Sequence, residues 1–171
     1  MSRRVVIADA GPLIALARIN SLNLLRDLFG RVLITRTVKD EILPPATVGR
    51  FTDAEVLSHT LDEGWIEVFD IPLNDWKPLN PGVDPGEGSA IHAACNWRDA
   101  GDAVLLVMDD RAGRLEARSR GISLIGTAAV IGLAKTTGLI PAAKPLLERL
   151  TQAGYFLGAA VIAAVLADVG E

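Results

Sequence analysis

Five acidic residues stand where regular segments begin or end. Asp9 closes the run "VVIAD", Asp109 and Asp110 close "LLVMDD", Glu41 lies within "TVKDEIL" and Glu87 within "PGEGSAIHAA". A carboxylate at the tip of an apolar strand is costly, because burial strips its hydration. Carboxylates gathered at one place also repel, and some take up protons unless a cation neutralises them. Such an all-oxygen donor set suits a hard divalent ion, Mg²⁺ or Mn²⁺, which prefers carboxylate and water ligands in octahedral geometry.

Each acid also has a purely structural reading. Asp9, Asp109 and Asp110 suit helix N-caps, Glu87 suits the positive end of a helix dipole, and Glu41 a solvated helix face. Those readings do not explain why several acids fall at one end of the same elements. Other chemistries find less support. His59 and His92 are isolated helical residues without zinc spacing. "GEGSA" lacks the lysine of a phosphate loop. No Ser-His-Asp arrangement stands out. A phosphatase of the haloacid dehalogenase type would want a second Asp two residues after Asp9, where Gly11 stands.

The elements that must place these acids follow from the hydrophobic pattern. β-rich apolar runs are expected as strands at 5–8, 31–35, 65–71, 103–108 and 122–126. Helical spacing predicts helices at 11–19, 22–29, 36–43, 52–64, 89–100 and 111–121, then an all-helical end from Thr127. Pro44-Pro45 ends the third helix, and Thr52 with Glu55 forms a capping-box pattern at the fourth. Residues 72–88, dense in Pro, Gly, Asn and Asp, read as a loop, with Glu87 opening the next helix. Continuous apolar strands separated by helices imply a parallel sheet covered on both faces. The expected architecture is a three-layer α/β/α sandwich of about five strands with a helical C-terminal extension. It reads as one domain over 1–171, with a core of 1–126 and an extension of 127–171. In such sheets, ligands gather beyond the carboxyl ends of the strands. Asp9 and Asp109 meet there if the first and fourth strands are neighbours.

Half of the 171 residues are apolar and 22% are charged, which fits a folded chain rather than a disordered one. A net charge of −4 argues against a generally basic nucleic-acid binder but leaves room for a local basic face. Arg111, Arg114 and Arg118, spaced i, i+3, i+7, share one helix face that starts beside Asp109. A solvated face with Glu116 nearby is the alternative. A lone Cys95 allows no intrachain disulfide, reads as a core thiol and fits a reducing cytoplasm. Val5–Ala8 is too short an apolar run for a signal peptide. The most apolar stretch, 153–167, falls short of the roughly 20 residues that span a bilayer. It is expected as a buried or interface helix, and no membrane association is expected.

Taken together, "VVIADAGPLIALARI", "TVKDEIL", "GEGSAIHAA" and "VMDDRAGRLEARSRGISLIGT" resemble the PIN domain family of metal-dependent nucleases. The tail "GLAKTTGLIPAAKPLLERLTQAGYFL" is similar to a prokaryotic branch of predicted nucleic-acid-binding proteins related to VapC-type toxins. The resemblance covers nearly the whole chain. It implies strand order 3-2-1-4-5 and acids converging on one or two Mg²⁺ or Mn²⁺ ions. By motif, Asp9, Glu41 and Asp109 correspond to family acids, with Asp110 a second candidate for the last role. Glu87 is the nearest match to the acid before the fourth strand, with Asp99 a poorer alternative. Many relatives carry Ser or Thr just before the fourth-strand acid, where this chain has Val107-Met108. The implied activity is endoribonuclease hydrolysis of single-stranded RNA, leaving a 5′-phosphate and a 3′-hydroxyl. Asp9, Glu41, Glu87 and Asp109 would be catalytic, and Asp9, Glu41, Asp109 and Asp110 would bind metal. Arg111, Arg114 and Arg118 would meet the backbone. A toxin role with an antitoxin partner, a homodimer and a cytoplasmic location complete that expectation. A catalytically weak module that binds RNA or a protein is the rival.

Overall fold

A computed structural model describes residues 4–44, 52–72 and 74–171. Five strands, β1 (Arg4–Ala8), β2 (Val32–Thr35), β3 (Ile66–Phe69), β4 (Ala103–Val107) and β5 (Ser123–Ile125), form one parallel sheet in the order β3-β2-β1-β4-β5. The helices are α1 (Ala10–Arg18), α2 (Asn23–Phe29), α3 (Arg36–Ile42), α4 (Thr52–Asp62) and α5 (Pro85–Asp99). They continue as α6 (Arg111–Ser119), α7 (Thr127–Thr136), α8 (Lys144–Gln152) and α9 (Ala159–Val169).

The two-residue period of a strand explains the layers. Val6, Ala8, Ile34 and Val107 enter one core with α1, α4, α7 and α8, while Val5, Ile7, Leu33 and Leu106 enter a second core with α5 and α6. Both faces are buried, as parallel sheets require. β1 and β4 run in register from Arg4 opposite Ala103 to Ala8 opposite Val107, and the Asp9 N–H donates to Val107 O at 2.9 Å. This pairing brings the ends of both strands, and so Asp9 and Asp109, to one edge of the sheet.

Two boundaries differ from the sequence reading for identifiable reasons. Helix α5 begins at Pro85, four residues before the expected start. Asp84 accepts from the Glu87 N–H at 2.8 Å and Glu87 Oε2 accepts from the Asp84 N–H at 3.1 Å, a reciprocal capping box with Pro at the first helical position. At the other end, the apolar stretch 153–167 is not one helix: 153–158 turn and connect, and α9 starts at Ala159 as a surface helix in which Val165 is the buried residue. It lies against α7 at Gly132, where an added Cβ would come within 2.9 Å of Val165. Thr52 opens α4, but its expected cap, and Pro45, lie outside the described residues and side chains. No helix among the described residues is long and apolar enough to cross a membrane.

Candidate active site

Asp9 occupies the N-cap position of α1 in extended conformation, yet its side chain makes no capping hydrogen bond. It is 5% exposed, and its Oδ1 is buried without a partner. Burial pushes its carboxyl from 3.8 up to about 7. The Ala10 amide opposes this, and the charges of Glu41, Glu87 and Asp84 add to it. A cap that does not cap, held in a dry position by a strand, is an acid placed for something other than its helix.

The neighbours that raise it come from two other elements. Glu41, in the last turn of α3, lies against Gly86 so closely that a Cβ there would collide with its carboxylate. Partial burial and the charge of Asp84 raise its pKa as well. Glu87 is buried in the first turn of α5 beside Gly113 of α6, where a Cβ would sit 3.5 Å from the Glu87 carboxyl carbon. Burial raises Glu87 from 4.5 to about 7. The Asp84 N–H opposes that rise, and the charges of Asp84, Asp110 and Glu41 reinforce it. Asp84 is therefore a fourth member of the cluster that the sequence reading did not single out. Its signal was there in "DPGE", a cap with Pro one residue on and Glu three residues on.

The paired acids after β4 divide. Asp110 caps α6, its Oδ1 accepting from the N–H groups of Ala112 at 2.7 Å and Gly113 at 3.1 Å. Asp109 faces the other way. Its Oδ1 accepts from the Thr127 N–H at 2.8 Å, and its Oδ2 from the Thr127 hydroxyl at 2.5 Å and the Tyr155 hydroxyl at 2.6 Å. The hydroxyl missing at Val107-Met108 thus reaches the acid from the start of α7 instead. Burial and the charge of Asp109 push the Tyr155 phenol far up, and Asp9 adds to the push.

The arginine face is also uneven. Arg111 and Arg118 are exposed, whereas Arg114 is half-buried and donates to Met108 O at 2.8 Å. Burial, followed by the charge of Arg118, lowers the Arg114 pKa. Glu116 is not solvated: it is 2% exposed and accepts from the Leu79 and Asn80 N–H groups, each at 2.9 Å, and from Arg120 at 2.7 Å. It pins the loop that leads to Asp84. His92, satisfied by Asn74 at 3.2 Å and stacked on Trp76 with ring centroids 5.1 Å apart, belongs to the wall of a neighbouring cavity of about 410 Å³. Asp99 is exposed at the far end of α5 and pairs with Arg98, away from the cluster.

Among the described residues no three acidic, histidine or cysteine side chains close into a finished metal cage. The donor set nevertheless fits magnesium or manganese. Mg²⁺ keeps several waters and is commonly held by one or two carboxylates together with substrate phosphates. Asp9 offers an oxygen with no other partner, surrounded by acids that a cation would relieve.

A parallel sheet in this order, with acids beyond the carboxyl ends of its central strands, defines an α/β protein whose site lies where the strand order reverses, between β1 and β4. A family model described as a PIN domain matches residues 5–171, and the chain belongs to the PIN domain family. A comparison with curated proteins gave no match. PIN domains are generally nucleases, typically use divalent metals and act on nucleic acid, so a nuclease-type fold is the coarse functional assignment.

Proposed function

We propose that this chain is a divalent-metal-dependent endoribonuclease that hydrolyses phosphodiester bonds in single-stranded RNA. The observation that carries the reading is Asp9, a buried carboxylate with an unpartnered oxygen inside a ring of repelling acids. A structural cap would be hydrogen-bonded, and an ion pair would have a cationic partner. Asp9 Oδ1 has neither, and a bound cation would supply what is lacking.

Asp9 would hold Mg²⁺ or Mn²⁺ together with Glu41 or Glu87, with Asp109 completing the donor set and Asp110 at its border. When bound, such an ion neutralises charge on the scissile phosphate and orients a water for in-line attack. Glu87, raised to about 7, is partly ionised near neutral pH, and the ionised form is the proton acceptor. Its Oε2 is occupied by the Asp84 N–H, so Oε1 is the atom that takes the proton from the attacking water. Arg111 and Arg118 extend into solvent where the RNA backbone would pass. Arg114 is held by Met108 O and serves the site from within. The same chemistry suits the toxin of a toxin–antitoxin pair acting in the cytoplasm as a homodimer, with an antitoxin as its partner.

The test is incubation of purified protein with labelled single-stranded RNA and Mn²⁺, repeated with EDTA and with Asp9→Asn. Cleavage that needs Mn²⁺ and is lost in Asp9→Asn is expected. Cleavage that survives the substitution removes Asp9 from the site. Metal binding without cleavage moves the assignment to a binding module.

A further inference from the structure

The C-terminal extension reaches the acid edge through one side chain. Tyr155 donates its hydroxyl to Asp109 Oδ2 at 2.6 Å, across 46 positions of sequence. The contact is built on both sides. After α8, Gly154 adopts φ 80°, the Gly154 N–H donates to Thr151 O at 3.0 Å and the Tyr155 N–H to Leu150 O at 3.0 Å. That is a complete Schellman turn, and it fixes the direction in which the chain carries Tyr155 away from the helix. On the receiving side, Gly11 leaves room for the phenol. A Cβ there would lie 3.3 Å from the Tyr155 hydroxyl, tighter than ordinary van der Waals contact. Gly126 likewise has no Cβ, which would sit 2.8 Å from Asp109 Oδ1.

Asp109 thus lies in a cradle assembled from four segments: the end of β4, the turn into α7, Arg114 of α6 and the α8–α9 connection. Thr127 alone would leave Oδ2 with one donor on a rotatable hydroxyl. The Tyr155 phenol arrives on a rigid ring and supplies the second, and two donors on one oxygen and one on the other define the carboxylate plane.

We propose that Tyr155 is a positioning residue of the acid site, orienting Asp109 so that the C-terminal extension takes part in metal binding by the core. This rests on the nuclease reading for its consequence, but not for the Tyr155–Asp109 tie itself. Tyr155→Phe keeps the ring and removes the donor. In the metal-free protein, the Asp109 side-chain carboxyl ¹³C resonance should move. In calorimetric titration, Mn²⁺ affinity should fall on the order of 10-fold, the usual scale for losing an outer-shell partner. With RNA, kcat should fall while KM stays near wild type, because Tyr155 touches no substrate. Gly11→Ala, which crowds the same hydroxyl while leaving it in place, should reproduce these changes in weaker form. An unmoved Asp109 resonance overturns the proposal. A moved resonance with unchanged Mn²⁺ affinity reduces the contact to a packing clamp and also overturns it. Wild-type protein that binds no Mn²⁺ defeats the nuclease reading, and the role of Tyr155 in metal binding falls with it. The resonance would then report only whether the hydrogen bond forms.

Discussion

Replacing Asp9 with Asn should change how the metal-free fold responds to pH. The folded-state carboxyl lies near 7 against 3.8 for the ordinary group. Between these values the fold keeps a proton that the unfolded chain has lost, so stability declines as pH rises through this window and levels off above it. At about 1.36 kcal/mol per pH unit, the shift from 3.8 to about 7 costs about 4 kcal/mol at about pH 8 and about 2 kcal/mol at about pH 5. At 5% exposure Asp9 has little solvent to screen this cost. Asn at the same site cannot ionise. Its own burial penalty is independent of pH and cancels when the two conditions are compared. The stability of Asp9→Asn relative to wild type should therefore rise by roughly 2 to 3 kcal/mol between about pH 5 and about pH 8. Urea unfolding in EDTA, followed by the fluorescence of Trp65, Trp76 and Trp97, measures it directly. Millimolar Mn²⁺ should stabilise the wild type at the higher pH and leave Asp9→Asn nearly unaffected. A gap that stays constant within about 0.5 kcal/mol would refute the reasoning, because Asp9 would then titrate as an ordinary exposed acid.

Three further outcomes follow from the same geometry. Gly126→Ala puts a methyl 2.8 Å from Asp109 Oδ1 and 3.2 Å from Arg114 Nη1, so it should cost about 1–3 kcal/mol in urea unfolding and reduce RNA cleavage. Retained activity with the methyl present would take Asp109 out of the site. Glu116→Gln should cost about 2–3 kcal/mol and loosen the loop before Asp84, read as faster amide exchange at Leu79 and Asn80. Burial alone would raise the Glu116 pKa, but the Leu79 and Asn80 N–H groups and Arg120 together lower it below 4.5. Its contribution is therefore complete above the ordinary value and lost as pH falls through the depressed one, a dependence the Gln variant should lack. Arg111→Ala and Arg118→Ala should each lower the salt-dependence slope of RNA binding by about 1, whereas Arg114→Ala should chiefly destabilise the fold, because its guanidinium is committed to Met108 O.

Much of the architecture was legible because it is written locally. Val5–Ala8 and the run before Asp109 are apolar at every position, which requires cover on both faces, and the structure buries alternate residues in two cores. The acids at strand ends were legible for the same reason, since a charge that follows an apolar run marks the point where the strand ends. Strand order was not local, and it came from family resemblance. The partners of Asp109 were hidden by distance: Thr127 is 18 positions away and Tyr155 is 46. Nothing in "QAGYFL" marks a tyrosine bound for the acid edge except the glycine that turns the chain toward it. Asp84 was overlooked because Pro and Gly in "NPGVDPGEG" signal a loop more loudly than a cap. The burial of Glu116 is equally non-local, because helical spacing alone does not reveal that the loop at Leu79 folds over it.

The central claim is that the acids around Asp9 hold a divalent cation. Anomalous diffraction at the manganese edge, from crystals soaked in Mn²⁺, tests it most directly. The account predicts a peak within bonding distance of Asp9 Oδ1, shared with Glu41 or Glu87 and absent from Asp9→Asn crystals. A wild-type crystal with manganese bound elsewhere and Asp9 untouched would contradict it.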